Sequence, residues 1–306
     1  MIHVAYCLDR NYQQHFGVSA TSLLLNFDGA PEDLCIHVVT DGADALFLEK
    51  LGQLRRQFRS AIVVHTPSPE ALRSLAGQPV NGALNHLTLA TFYRLLLPAI
   101  LPAEIAKVLY LDSDTVVLTS IGPLFEEDLE GCALMAVVDP SSAAMASHWS
   151  LDRYVNSGVM LLNLQRWREA GHVGKCLEHG LRYQDKVRYG DQCAINAVLA
   201  GEIRLLPGQW NTPVWPGGGP VDPQAAAILH YITGDKPWQS WYRDPLARFY
   251  WQYLAASPWA GAEPVAPRNR KEARLLTKLL YQRGQYLALL KACLNGRILA
   301  ASSSRH

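Results

Sequence analysis

The feature that most narrows the fold is a set of short strands with no wet face. Every residue of Val108-Leu109-Tyr110-Leu111 is apolar. A strand that shows one side to water alternates polar and apolar residues, so an unbroken apolar run must be covered on both sides. Ile2–Leu8, Leu34–Thr40 and Ala61–Thr66 read as strands as well, and Gln13–Asn26 and Ala43–Phe58 read as the helices between them. This β-α-β-α order predicts an α/β fold with a mainly parallel central sheet and helices on both faces. Further on, Leu87–Leu97 reads as a helix that Pro98 helps to stop. Lys107–Asp112 reads as a fourth strand, with β-rich Thr115–Thr119 beyond it. Ala133–Asp139 and Val159–Leu164 read as strands, Pro140–Arg153 as a Ser/Ala-rich loop and Asp191–Leu199 as a helix. Pro207–Pro223, dense in Pro, Gly and Trp, is expected to be irregular.

With 306 residues, 49% of them hydrophobic and 18% charged, the chain has the balance of one large folded domain with an appendage. A net charge of +1 gives no overall field that favours nucleic acid, so none is expected as a partner. The charge is uneven, however. Residues 267–306 hold nine of the 28 Lys/Arg but only Glu272 of the 27 Asp/Glu, so this tail carries a formal +8 and the remainder −7. The expected division is therefore 1–266, catalytic, and 267–306, a basic helical tail. None of the six cysteines is paired in a C-x-x-C motif, and Cys7, Cys35 and Cys132 fall in apolar runs and read as core residues. No basic leader opens the sequence and no apolar run approaches the roughly 20 residues of a spanning helix, so a cytoplasmic setting is expected.

Three constellations carry chemistry. The strand Lys107–Leu111 delivers Asp112 and Asp114, two residues apart, at its carboxyl end. Residues i and i+2 of extended chain point the same way, so both carboxylates can meet one hard cation, Mn²⁺ or Mg²⁺; the alternative is a solvated turn. His230, followed by Gly234 and Lys236, offers an imidazole ligand and an ammonium for phosphate; the alternative is a structural core histidine. Strand Ile2–Leu8, which contains Cys7, ends in Asp9-Arg10-Asn11-Tyr12, where Asp9 and Asn11 can pair with a base edge or simply cap a turn.

Together with Thr91-Phe92-Tyr93-Arg94-Leu95, Asn156-Ser157-Gly158-Val159 leading to Asn163-Leu164, and Asp191-Gln192, these segments resemble glycosyltransferase family 8 from about Ile2 to Trp238. The likeness is strongest to bacterial lipopolysaccharide and lipooligosaccharide galactosyl- and glucosyltransferases. It implies a single nucleotide-sugar-binding (GT-A-like) domain that transfers a hexose from UDP-hexose, with retention and with Mn²⁺, to a glycan or glycolipid acceptor. By that resemblance Asp9 and Asn11 contact uridine with Cys7 alongside. Asp112, Asp114 and His230 bind metal, Asp112 also lying near the donor sugar. Arg94, Asn156 and Asp191 contact the sugar, Gln192 lies beneath the anomeric carbon, and Lys236 meets the diphosphate with Gly234 in the adjoining loop. The family's usual glycine three residues after the histidine is here Thr233, which leads us to expect a local shift to Gly234. A Cys stands at 193, where relatives can carry a second acid.

Other activities compatible with the same residues are a self-glucosylating primer protein, a catalytically silent glycan-binding module and a nucleotidyltransferase. Trp210, Trp215, Trp241 and Tyr242 are candidates for stacking on acceptor sugars, or for core and lid. The loops at Asn81–Leu87 and Thr233–Lys236 are expected to close over the donor. In the tail, Arg268, Arg270, Lys271, Arg274 and Lys278 lie among leucines, with Tyr286, Leu287 and Leu290 beyond and Gly284 and Gly296 as interruptions. That pattern suits a helix lying on an anionic membrane at its inner face.

Overall fold

The computed structural model describes residues 1–78 and 89–293. The expected lid loop Asn81–Leu87, and the tail beyond 293 with Leu294 and Gly296, lie outside the described residues.

The described residues form ten strands: β1 Ile2–Cys7, β2 Leu34–Val39, β3 Ala61–His65, β4 Lys107–Leu111, β5 Thr115–Val117, β6 Leu134–Val138, β7 Val155–Asn163, β8 Ile203–Leu205, β9 Thr212–Val214 and β10 Ile228–Tyr231. Seven form one sheet in the order β3-β2-β1-β4-β7-β6-β8, and the other three form a small sheet, β5-β10-β9. The pairs β3–β2, β2–β1 and β1–β4 are parallel, and β7 runs antiparallel to both neighbours. Alternate residues of β4 serve two cores. Leu109 and Leu111 join the one built on Tyr6, Ile36 and Phe16; Val108 and Tyr110 join the one built on Met160, Trp167 and Ile195. That two-sided burial is why β4 is apolar from Val108 to Leu111.

Sequence pattern and structure part company in several places. Leu87–Leu97 is not one helix. Among the described residues it is a 3₁₀ helix, Leu89–Leu96, followed by a short α-helix, Leu97–Ile100, with Pro98 in its first turn. Proline lacks an N–H that the first turn leaves unpaired anyway, so here it opens a helix instead of closing one. The Pro140–Arg153 loop contains a helix, Ser142–Trp149, ended by Ser150 at φ 57°. β7 begins at Val155, earlier than expected, which draws Asn156, Ser157 and Gly158 into the sheet. Pro207–Pro223 holds a 3₁₀ turn, Gly208–Asn211, and β9, because β10 offers a parallel partner. The helices Leu164–Glu169 and His172–Arg182 and strand β8 were not anticipated.

In the tail, Asn269 caps the helix Arg270–Gln282, accepting from the Glu272 N–H, and Gly284 at φ 67° interrupts it. Helix resumes over 286–293. No helix among the described residues is long and apolar enough to cross a membrane.

Candidate active site

The sheet order reverses at β1 and β4: the chain leaves β1 for β2 on one side and later returns to β4 on the other. Open α/β sheets bind ligands beyond strand carboxyl ends at such a point. A cavity of about 530 Å³ lies there, walled by Cys7, Asp9, Arg94, Asp112, Asp114, Asn156, Asp191, Gln192, His230, Gly234 and Lys236. The expected site is thus assembled with one exception. Asn11 is exposed and does not line the cavity; its backbone N–H donates to Asp9 Oδ1 at 2.9 Å, so Asp9 caps the turn as well as facing the cavity.

His230 reaches the carboxylates through the small sheet. β10 pairs antiparallel with β5, setting His230 opposite Thr115, and the Tyr231 N–H donates to the Asp114 carbonyl at 3.0 Å. His230 Nε2 lies 3.3 Å from Asp114 Oδ1 and 3.7 Å from Asp112 Oδ2. Ligand atoms of the three residues all fall within 4.8 Å of one another. Gly158 faces this cluster across β4, accepting from the Asp112 N–H at 2.7 Å. A Cβ there would stand 2.2 Å from His230 Cε1 and 2.8 Å from Asp112 Oδ2, so only glycine leaves the imidazole its place. Asp114 Oδ1 is buried without a hydrogen-bond partner. Two carboxylates and an imidazole around an unsatisfied buried oxygen fit a divalent cation of the Mg²⁺ or Mn²⁺ kind.

Asp114 Oδ2 accepts from Lys236 Nζ at 2.6 Å, and the same ammonium donates to the Tyr231 carbonyl at 2.5 Å. Burial alone would raise the Asp114 carboxyl; the Lys236 charge beside it instead holds it well below the usual carboxylate range. Arg94, on the 3₁₀ helix, is buried and fully engaged. It lies 3.1 Å from Asp112 Oδ1 and 3.0 Å from Asp191 Oδ2, and donates to the Thr91 and Ser157 carbonyls at 3.0 and 2.9 Å. Asp191 opens the helix Asp191–Val198 with its Oδ2 buried and lacking a hydrogen bond. Burial pushes its carboxyl up to about 6, against the pull of Arg94. Asp112 Oδ1 also accepts from the Tyr110 hydroxyl at 2.6 Å.

Gln192 is held at both ends of its amide. Oε1 accepts from the Ser157 N–H at 3.0 Å, and Nε2 donates to Asp139 Oδ2 at 3.2 Å. Asn156 Nδ2 donates to the same Asp139 oxygen at 2.9 Å. Asp139, Ser157 and Asn211 were not singled out from the sequence. For Asp139 a signal existed: like Asp112, it is a carboxylate closing an apolar strand.

Thr233 itself takes the left-handed conformation, φ 74°, and Gly234 does not. Of the aromatic candidates, Trp210, Trp241 and Tyr242 are buried in the fold, and Trp215 lines the cavity. Cys35 and Cys132 are buried as expected, whereas Cys7 is half-buried on the cavity wall, its thiol pushed up by burial.

A mainly parallel sheet covered on both faces, with an acidic cluster at its switch point, is the frame of a GT-A-type glycosyltransferase. The family model for glycosyl transferase family 8 matches residues 3–242, and the chain belongs to that family. It is 27% identical over 303 residues to a lipopolysaccharide 1,2-glucosyltransferase of Escherichia coli K12, covering 94% of this chain and 87% of the relative. It is 26% identical over 302 residues to a lipopolysaccharide 1,3-galactosyltransferase of Salmonella typhimurium, covering 93% and 87%. The crystal structure of galactosyltransferase LgtC in complex with donor and acceptor sugar analogs superposes with a TM-score of 0.70 at 25% identity, covering 87% of this chain and 98% of that one.

Proposed function

We propose that the chain is a retaining, metal-dependent hexosyltransferase that moves galactose or glucose from a UDP-sugar to a cell-surface glycan, such as a lipopolysaccharide core. The observation that carries this reading is the meeting of Asp112, Asp114 and His230 at the β1/β4 switch point of a family 8 fold. A divalent cation held by these three residues would neutralise charge on the diphosphate leaving group. Asp9 contacts uridine beside Cys7, Lys236 binds the diphosphate beside Gly234, and Arg94, Asn156 and Asp191 orient the hexose.

The acceptor hydroxyl attacks the anomeric carbon on the face from which the diphosphate departs, and its proton passes to the leaving phosphate oxygen. Gln192 is an amide and a poor nucleophile, which supports this front-face route. With Asp191 it stabilises developing oxocarbenium charge. A second reading is double displacement through Asp191, favoured by its buried Oδ2 without a hydrogen bond. Mass spectrometry of enzyme mixed with donor alone separates the two, since only the second leaves a hexose on Asp191.

The basic tail is the proposed contact with an anionic membrane on the cytoplasmic side, where a glycolipid acceptor would be met. Exposed Tyr281, Tyr286, Leu287 and Leu290 beside its Lys and Arg residues support this. The deciding experiment is a donor screen by UDP release with Mn²⁺, followed by NMR of the product anomer. An α-linked product from an α-linked donor is expected, with Gln192→Ala lowering kcat more than donor affinity. Full turnover in excess chelator, or a β-linked product, would refute the proposal.

A further inference from the structure

Behind the His230 imidazole runs a chain of amides whose directions are all fixed. It begins at two groups with no choice of role. The Gly158 N–H can only donate, and it meets Asn156 Oδ1 at 2.9 Å; the Asp139 carboxylate can only accept, and it meets Asn156 Nδ2 at 2.9 Å. Asn156 therefore has one orientation. Its Oδ1 then requires a donor from its next neighbour, Asn211 Nδ2, at 2.9 Å. That turns Asn211 Oδ1 towards His230 Nδ1, 3.0 Å away. An amide oxygen accepts only, so Nδ1 carries a proton, and in the neutral ring Nε2 is then bare. Reversing Asn211 would set two oxygens against each other at Asn156. Reversing Asn156 as well would oppose its NH₂ to the Gly158 N–H and its oxygen to Asp139.

We infer that Asn211 is a positioning residue that holds His230 in its Nδ1–H tautomer, with the Nε2 lone pair turned to Asp112 and Asp114. The inference rests on the proposed reading of His230 as a cation ligand. Asn211 and His230 are both buried, so no free water competes for Nδ1. A partner on the far imidazole nitrogen that sets tautomer and ring angle is a common support for metal-binding histidines. The same carboxylate, Asp139, anchors Gln192, so the chain of amides joins the cation ligand to the residue beneath the donor sugar.

The test uses full-length protein labelled with ¹⁵N on histidine, free of metal, at about pH 8.5, where an ordinary imidazole is neutral. His230 is assigned by its loss in His230→Gln. Wild type should show the Nδ1–H pattern. Asn211→Leu should lose it, and its Mn²⁺ affinity by calorimetry should fall roughly 10- to 100-fold. Asn211→Asp keeps an acceptor facing Nδ1 and should keep the Nδ1–H pattern, at a cost in stability because its second oxygen opposes Asn156 Oδ1. A wild-type His230 protonated on Nε2 would overturn the inference, whether or not either variant folds, as would an Nδ1–H pattern in folded Asn211→Leu. If wild type has the Nδ1–H pattern and Asn211→Leu loses it, but no protein binds Mn²⁺, the positioning role stands and the cation reading falls.

Discussion

Lys236 Nζ donates to Asp114 Oδ2 at 2.6 Å, so the ammonium proposed for the diphosphate sits on a carboxylate proposed for the cation. Each neutralises the other, and binding of cation and diphosphate together would exchange both partners at once. Lys236→Met should therefore tighten Mn²⁺ alone, by on the order of tenfold, because a like charge has left the site. The same change should weaken UDP in the presence of Mn²⁺. Calorimetry of the two ligands measures both signs; a loss of affinity for both would contradict the exchange.

The glycines of the site should differ sharply. Gly158→Ala places a Cβ 2.2 Å from the His230 ring and should cost about 1–3 kcal/mol in urea unfolding, along with cation binding. Gly234→Ala meets nothing within 4 Å and should be close to silent in stability. Thr233 holds φ 74° with a branched side chain, so Thr233→Gly should stabilise the fold by about 1 kcal/mol. Equal stability of Thr233→Gly and wild type would mean that the threonine carries no strain.

Much of this was readable from sequence where local rules suffice. β1 to β4 are apolar runs with helices between them, and Asp112 and Asp114 follow directly at a strand end. Asn211 was hidden because nothing near Trp210-Asn211 signals chemistry; its role arises from contact with Asn156, 55 positions earlier in the chain. Pro140–Arg153 departs from its loop-like composition because alanine, which fills much of Ser142–Trp149, is the best helix former. At Thr233 the sequence showed a missing glycine but could not show that the threonine itself takes a left-handed turn.

The Asp191 carboxyl, raised to about 6 by burial, should mark the acid side of the rate profile. Above that value it is ionised and can oppose oxocarbenium charge; below it the group is neutral. In free enzyme kcat/KM should fall about tenfold per pH unit below roughly 6. Asp191→Asn should be slow throughout and lack this limb. A flat wild-type profile between about pH 5 and 7 would remove Asp191 from the charge-stabilising role.

The tail should be separable from chemistry. Full-length protein should sediment with vesicles containing anionic lipid, less so as salt rises, and a chain ending at Pro267 should not. Turnover of a small soluble acceptor should persist in the shortened chain. Equal sedimentation of both, or of neither, would end the membrane proposal.

The antiparallel pairing of β5 with β10 joins residues that lie more than a hundred positions apart in the chain, His230 opposite Thr115. Closing so long a span is slow compared with building local elements. During synthesis, β1 to β4 emerge well before His230 does. A partly made chain thus owns the sheet and both aspartates but no complete cluster. The proposed cation site is therefore complete only once the chain has been made and folded as far as His230, so cation binding would report that the fold has closed to that point.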